Sequence, residues 1–156
     1  MIRQYLEKHE RSRSVFEVLY RLMPAIVFVI YGFMIIYLFV NRDMRLRKVI
    51  DVPLIVLLGI TVIRKLLNEP RPYEVTGIPP LIKKDKKGQS FPSRHVVSAV
   101  IISMAGLYLN IWLGVILLII SFTIAVMRVT AGVHFVKDVA AGFAISIISG
   151  VIGFFI

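Results

Sequence analysis

Three short polar islands in this chain carry residue types suited to holding and cleaving a phosphate. They read Arg64-(six residues)-Arg71-Pro72, Pro92-Ser93-Arg94-His95, and Arg128-(five residues)-His134-(three residues)-Asp138, and each stands where an apolar run ends. Ionisable side chains at such borders are costly unless paired or put to use, so they read first as functional. Arg64, Arg71 and Arg128 each offer a rigid fork of N–H donors that matches phosphate oxygens bidentately and keeps its charge. A lone arginine at a span end also has a simpler use, with its stem in the apolar layer and its head in water. Ser93 precedes an apolar run expected to be helical, so the N–H groups of the first turn and the helix dipole offer an anion site.

Of the three histidines, His95 and His134 fall within the islands and His9 does not. His134 and Asp138 stand four residues apart at the expected start of a helix, which places them on one face. A carboxylate accepting from one ring nitrogen fixes the tautomer and leaves the other nitrogen as a nucleophile. The same pair could instead be a buried hydrogen bond that locks two helices. Zinc is poorly matched: two histidines and one nearby carboxylate among several arginines favour an anion over a divalent cation.

The elements that must position these groups are membrane spans. The 156 residues allow one domain, 1–156, and 58% of them are hydrophobic, far above ordinary soluble composition. The fold class is therefore all-α, a multi-span transmembrane bundle. Residues 1–21 mix charges with spaced apolar side chains such as Tyr5, Leu6 and Phe16, the pattern of an interfacial helix. They are too charged for a signal-peptide core. Five spans follow: Leu22 to Val40; a second with Asp51 as N-cap and Pro53 in its first turn, running on toward Glu69 before Pro70; Val96 to Leu109; Ile116 to Met127; and Val133 to Ile156. In the last span Gly142, Ser146 and Gly150 recur every fourth residue and present a small face for close packing.

The net charge of +10 lies between the apolar runs and without aromatic interleaving, so anionic lipid head groups are expected as partners and nucleic acid is not. Lys83, Lys84, Lys86 and Lys87 lie in a Gly- and Pro-containing loop and read as a solvated or head-group-facing run. The absence of cysteine excludes thiol catalysis, disulfides and thiolate metal sites. Counting crossings from the N-terminus, all three islands follow an even number of spans and emerge on one side, where they can form one site.

In type, order and spacing the islands resemble the signatures of the type 2 phosphatidic acid phosphatase superfamily: Lys-(six)-Arg-Pro, Pro-Ser-Gly-His and Ser-Arg-(five)-His-(three)-Asp. The match runs from residue 64 to residue 138. Arg64 takes the place of the family lysine, and Lys65 is one residue out of register, about 100° around a helix. Arg94 replaces the glycine of the second motif and adds a cation beside the site, and Met127 replaces the serine of the third. The family commonly has six spans where five are read here. The resemblance implies a cofactor-free, metal-independent lipid phosphatase acting on a monoester or diphosphate, such as a polyprenyl pyrophosphate or a glycerophospholipid phosphate. His134 would be the nucleophile, Asp138 its orienting carboxylate, and His95 the acid and then base. Arg64, Arg71, Ser93, Arg94 and Arg128 would surround the phosphate. The contrasting reading is a catalytically silent membrane protein that binds anionic lipids through the same basic face.

Sidedness sets two arguments against each other. The face with the N-terminal segment and the islands holds 15 of the 19 lysines and arginines, which the positive-inside rule would place in the cytoplasm. Family resemblance implies a multi-pass protein of the cell membrane with an extracytoplasmic site and a cytoplasmic C-terminus, and that placement is the one adopted.

Overall fold

The computed structural model describes residues 2–156; Met1, the first residue of the expected interfacial segment, lies outside the described residues. The described chain is helical throughout its ordered elements: α1 (Ile2–Lys8), α2 (Glu10–Val40), α3 (Arg45–Leu67), α4 (Pro72–Thr76), α5 (Arg94–Leu109), α6 (Ile111–Thr130) and α7 (Val136–Gly150), which continues as a π-helical stretch, Val151–Phe155.

The helix starts differ from those read in the sequence. The expected interfacial segment is divided, since α2 begins at Glu10 and runs unbroken through Pro24 into the first span. At about 1.5 Å per residue its 31 residues reach about 46 Å, longer than the ~30 Å hydrocarbon layer, so its charged first turns lie beyond the apolar zone. The second span begins at Arg45, where the Asp43 carboxylate accepts from the Arg45 N–H at 2.9 Å, and Asp51 and Pro53 lie inside the helix. His134 precedes α7, in the turn after α6.

Among the described residues, three helices are long and apolar enough to cross a membrane: Glu10–Val40, Ile111–Thr130 and Val136–Phe155. The 23-residue α3 is long enough but carries charges at both ends, and α5 is apolar but only 16 residues long. Helix α5 occupies the centre of the bundle, and every residue from Val96 to Gly106 is buried. Helix α6 packs against it closely because Gly114 lacks a side chain: a Cβ there would stand 2.3 Å from the Leu107 backbone nitrogen. Ser103 and Ser121 join the two helices through their hydroxyls at 3.0 Å, a polar link that neither face exposes to lipid. The small face of α7 packs on the same helix, with Gly142 against Val96, Gly150 against Met104, and the Ser146 hydroxyl donating to Val97 O at 3.2 Å.

Around this centre Val27, Leu38, Val49, Ile101, Leu117 and Phe154 form the main core. Facing outward, Phe33, Ile36 and Phe39 of α2, Ile55 and Leu58 of α3, and Ile119 and Phe122 of α6 are exposed. Such a broad apolar girdle is what lipid tails solvate. Because the helices alternate in direction, the C-terminal ends of α3 and α6 and the N-terminal ends of α5 and α7 gather at one end of the bundle. That end carries all three islands.

Candidate active site

The turn that presents His134 is built by the end of α6. The Arg128 carbonyl accepts N–H groups from both Val133 (3.2 Å) and His134 (3.3 Å), and Gly132 takes φ +71°, so the chain folds back over the last helical turn. The five-residue spacing between Arg128 and His134 is the length of that turn. Helix α7 then starts at Val136, and Asp138 accepts the Phe135 N–H at 3.0 Å, a side-chain cap of the helix end.

The same carboxylate oxygen, Asp138 Oδ2, faces His134 Nδ1 at 3.3 Å and accepts from the Ser90 hydroxyl at 2.5 Å. The Ser90 Oγ also stands 3.4 Å from His134 Nδ1. Asp138 and Ser90 are fully buried and His134 nearly so. With Nδ1 turned to the carboxylate, Nε2 is the ring nitrogen left for chemistry. Burial lowers the His134 pKa; Asp138 opposes that effect, and Arg71 and Arg64 add to it. The imidazole is thereby held neutral, the form a nucleophile requires.

His134 lines a small cavity of about 70 Å³ together with His95, Arg64, Arg71 and Arg94. Lys84, Lys86, Gln89 and Thr61 complete its wall. Three of the expected residues stand behind this wall: Ser93, Arg128 and Asp138 are buried but do not line the cavity. The cations divide by what their donors already do. Arg64 gives Nη1 to Ser90 O at 3.1 Å and to Pro92 O, and Nη2 to Gln89 O, so most of its fork holds the loop before α5. Lys65, one step around the helix, is exposed and takes no part in the wall. Arg71 donates Nε to Gly88 O at 3.0 Å, while its buried Nη1 has no partner among the described residues. The Ser93 hydroxyl and Asp138 Oδ1 are the other buried side-chain polar atoms without a partner among the described residues. An unmatched buried donor such as Arg71 Nη1 is expensive, and an anion in the cavity would satisfy it.

Two parts differ from the sequence expectation. The backbone N–H of Ser93 donates to Asp138 O at 3.0 Å, which ties the second island to the third. The first-turn donors that α5 can offer an anion are therefore those that follow Ser93. Arg128 is held from α2, where Tyr20 accepts from its Nη1 and the ring lies 4.0 Å from the guanidinium carbon. Neither Tyr20 nor Ser90 was found by sequence reasoning. Tyr20 sat in a stretch read as interfacial, and Ser90, three residues before Ser93, carried no spacing rule.

The lysine loop is also part of the site. Its ends are pinned by Leu81 N to Ala131 O at 3.0 Å, Arg13 Nη2 to Leu81 O at 3.1 Å, Gly88 N to Glu74 Oε1 at 2.8 Å, and Tyr73 to Lys86 O. Gly88 takes φ +63° against Asn68, where a Cβ would stand 2.4 Å from Asn68 Oδ1. Lys84 is half-buried, and burial with Arg128, Arg71, Lys86 and Arg94 nearby lowers its pKa to about 8. The wall thus carries five cations and no carboxylate, and among the described residues no group of three or more His, Cys, Asp or Glu side chains gathers to hold a metal ion.

A helical membrane bundle with a cationic, two-histidine cavity at one end defines a site for an anionic group. The PAP2 superfamily profile matches residues 48–155, more than half of the chain, and the chain belongs to that superfamily. Among solved structures it superimposes on LpxE of Aquifex aeolicus with a TM-score of 0.73 at 24% identity, covering 97% of this chain and 92% of that one. A transmembrane PAP2-type phosphatidylglycerolphosphate phosphatase from Bacillus subtilis gives a TM-score of 0.66 at 21% identity, over 93% of this chain and 76% of that one. At these identities the likeness establishes a shared fold. A search of curated proteins finds no match.

Proposed function

We propose that this chain is a membrane lipid phosphatase that removes a phosphate from a lipid monoester or diphosphate through a phosphohistidine on His134, without a metal ion. The observation that carries the reading is the cavity itself: His134 with Nδ1 against Asp138, and His95 beside it, within a wall of cations. Nε2 of His134 attacks phosphorus as the bond to the leaving oxygen breaks, and His95, which takes up a proton when the anionic phosphate binds among the cations, gives that proton to the leaving oxygen. Arg71 with its uncommitted Nη1 and the opening N–H groups of α5 stabilise the equatorial oxygens; Ser93 and Arg128 act from behind the wall. Asp138 balances the imidazolium charge that forms. Water then attacks the phosphohistidine, losing a proton to His95, and inorganic phosphate leaves as His134 returns to neutral. The protein acts at the cell membrane with its site on the extracytoplasmic face, which lets the tail stay in the bilayer.

The test is phosphate release from a lipid monophosphate and a lipid diphosphate by the purified protein in detergent with excess EDTA. Release that persists in chelator is expected. Binding of the lipids without any release, in EDTA or with divalent ions restored, would establish the silent lipid-binding reading instead. Activity that depends on an added divalent ion would overturn the metal-free mechanism.

A further inference from the structure

The aim of Arg71 is set from outside the cavity wall. Arg71 is buried and lines the cavity, whereas Glu74, three residues on, is exposed and takes no part in that wall. One carboxylate oxygen, Glu74 Oε1, accepts the backbone N–H of Arg71 at 2.9 Å and that of Gly88 at 2.8 Å. Gly88 O in turn receives Arg71 Nε at 3.0 Å. The three bonds close a ring that runs from the Arg71 backbone through Glu74 and Gly88 back to the Arg71 guanidinium. A guanidinium is planar and its donors keep a fixed fork, so with Nε given to Gly88 O the direction of Nη1 follows. Nη1 is the buried donor left without a partner among the described residues.

The chain at Gly88 is bent in a way that other groups must hold. Gly88 takes φ +63° and Gln89 takes φ +52°, and a residue with a side chain is disfavoured in that left-handed region. Such a conformation persists where its surroundings fix it. Here three successive carbonyls are turned onto two arginines: Gly88 O receives Arg71, while Gln89 O and Ser90 O receive Arg64. Arginine supplies donors alone, so the N–H groups of the bend need acceptors from elsewhere. Glu74 takes that of Gly88, and Glu69 O takes that of Ser90 at 2.9 Å. The bend also carries the Ser90 hydroxyl to Asp138, so it joins the first island to the third.

We infer that Glu74 is a positioning residue for phosphoryl transfer: it holds Arg71 and the bend at Gly88 together so that Arg71 Nη1 meets the phosphate, and it does not touch the substrate itself. This inference rests on the phosphatase reading. The role calls for an oxygen acceptor rather than a negative charge, since both partners are backbone N–H groups. Glutamine, whose side-chain oxygen can accept the same two bonds, therefore separates positioning from a long-range effect of charge on the cations.

The experiment measures kcat/KM in EDTA with whichever of dodecyl monophosphate and dodecyl diphosphate the wild-type protein cleaves faster. Glu74→Ala is expected to lower it about tenfold, the scale on which partners of a reacting side chain act. Glu74→Gln should stay within about threefold of wild type. In an Arg71→Ala background, where nothing is left to aim, Glu74→Ala should lower the rate by less than about twofold more, the non-additivity of two residues acting as one unit. An equal loss in both backgrounds, a Glu74→Gln variant as slow as Glu74→Ala, or a Glu74→Ala variant within about twofold of wild type would each overturn the assignment while leaving the phosphatase reading intact. Release from neither ester by the wild-type protein would remove both.

Discussion

At the residue scale, the site depends on one carboxylate oxygen that serves three partners. Asp138 Oδ2 caps α7 and receives both Ser90 and His134, so its position sets the angle of the His134 ring. Removing the Ser90 hydroxyl takes away a bond to a charged group, worth about 1.5–3 kcal/mol in general. Ser90→Ala is therefore expected to lower kcat by about 10- to 100-fold with KM little changed, as outer partners of a reacting side chain do. Steady-state kinetics of the purified variant checks this; a lower melting temperature with unchanged kcat would reduce Ser90 to a structural part. The lysine loop supplies a pH signature. Lys84 is charged below about pH 8 and neutral above it, because of its burial and of Arg128, Arg71, Lys86 and Arg94 around it. An anion binds the charged form, so KM should rise as pH passes through that value. Lys84→Arg, which stays protonated, should flatten the rise. A KM profile identical in wild type and variant would exclude the lysine from binding. The three motifs made most of the wall legible in the sequence, since His134, His95, Arg71 and Arg64 need only spacing to be found. Ser90 and Tyr20 were not legible, because each acts through a partner far away in the chain and belongs to no local pattern.

At the scale of elements, apolar runs located the spans but not the ends of the helices. A hydropathy window reports contact with lipid, whereas a helix continues for as long as backbone bonding allows. Hence α2 takes in the charged residues from Glu10 onward, and α3 reaches back to Arg45. His134 was expected inside a helix and lies before one, and its pairing with Asp138 survives because the turn after Gly132 aims it back at the first turn of α7. The central position of α5 was equally hidden, for an apolar run reads alike whether it meets lipid or protein. Its seam with α6 offers a test of packing. At Gly114 an added methyl meets the Leu107 backbone, which cannot swing aside like a flexible side chain. Gly114→Ala is expected to destabilise the bundle by about 1–3 kcal/mol, the usual cost of overpacking, read as a lower melting temperature in detergent. A melting temperature equal to that of wild type would show that α5 and α6 separate freely.

At the scale of the whole molecule, alternating helices bring four helix ends to one face, and crossing parity alone was enough to expect that gathering. Orientation in the membrane was less legible because the basic residues serve two purposes. Arg64, Arg71, Arg94, Lys84 and Lys86 line the cavity, so they cannot be counted simply as topology signals. Single cysteines at Lys87 and at Arg47, both exposed and at opposite ends of the bundle, separate the alternatives in this cysteine-free chain. With an impermeant thiol reagent on intact cells, labelling at 87 and not at 47 is the expected result. The reverse pattern would put the site in the cytoplasm. The central claim, that His134 carries the phosphoryl group, is tested most directly by phosphate release from a lipid phosphate by the purified, folded His134→Ala variant. The account predicts a rate lower by a factor on the order of 10³ or more, and turnover close to that of the wild type would contradict it.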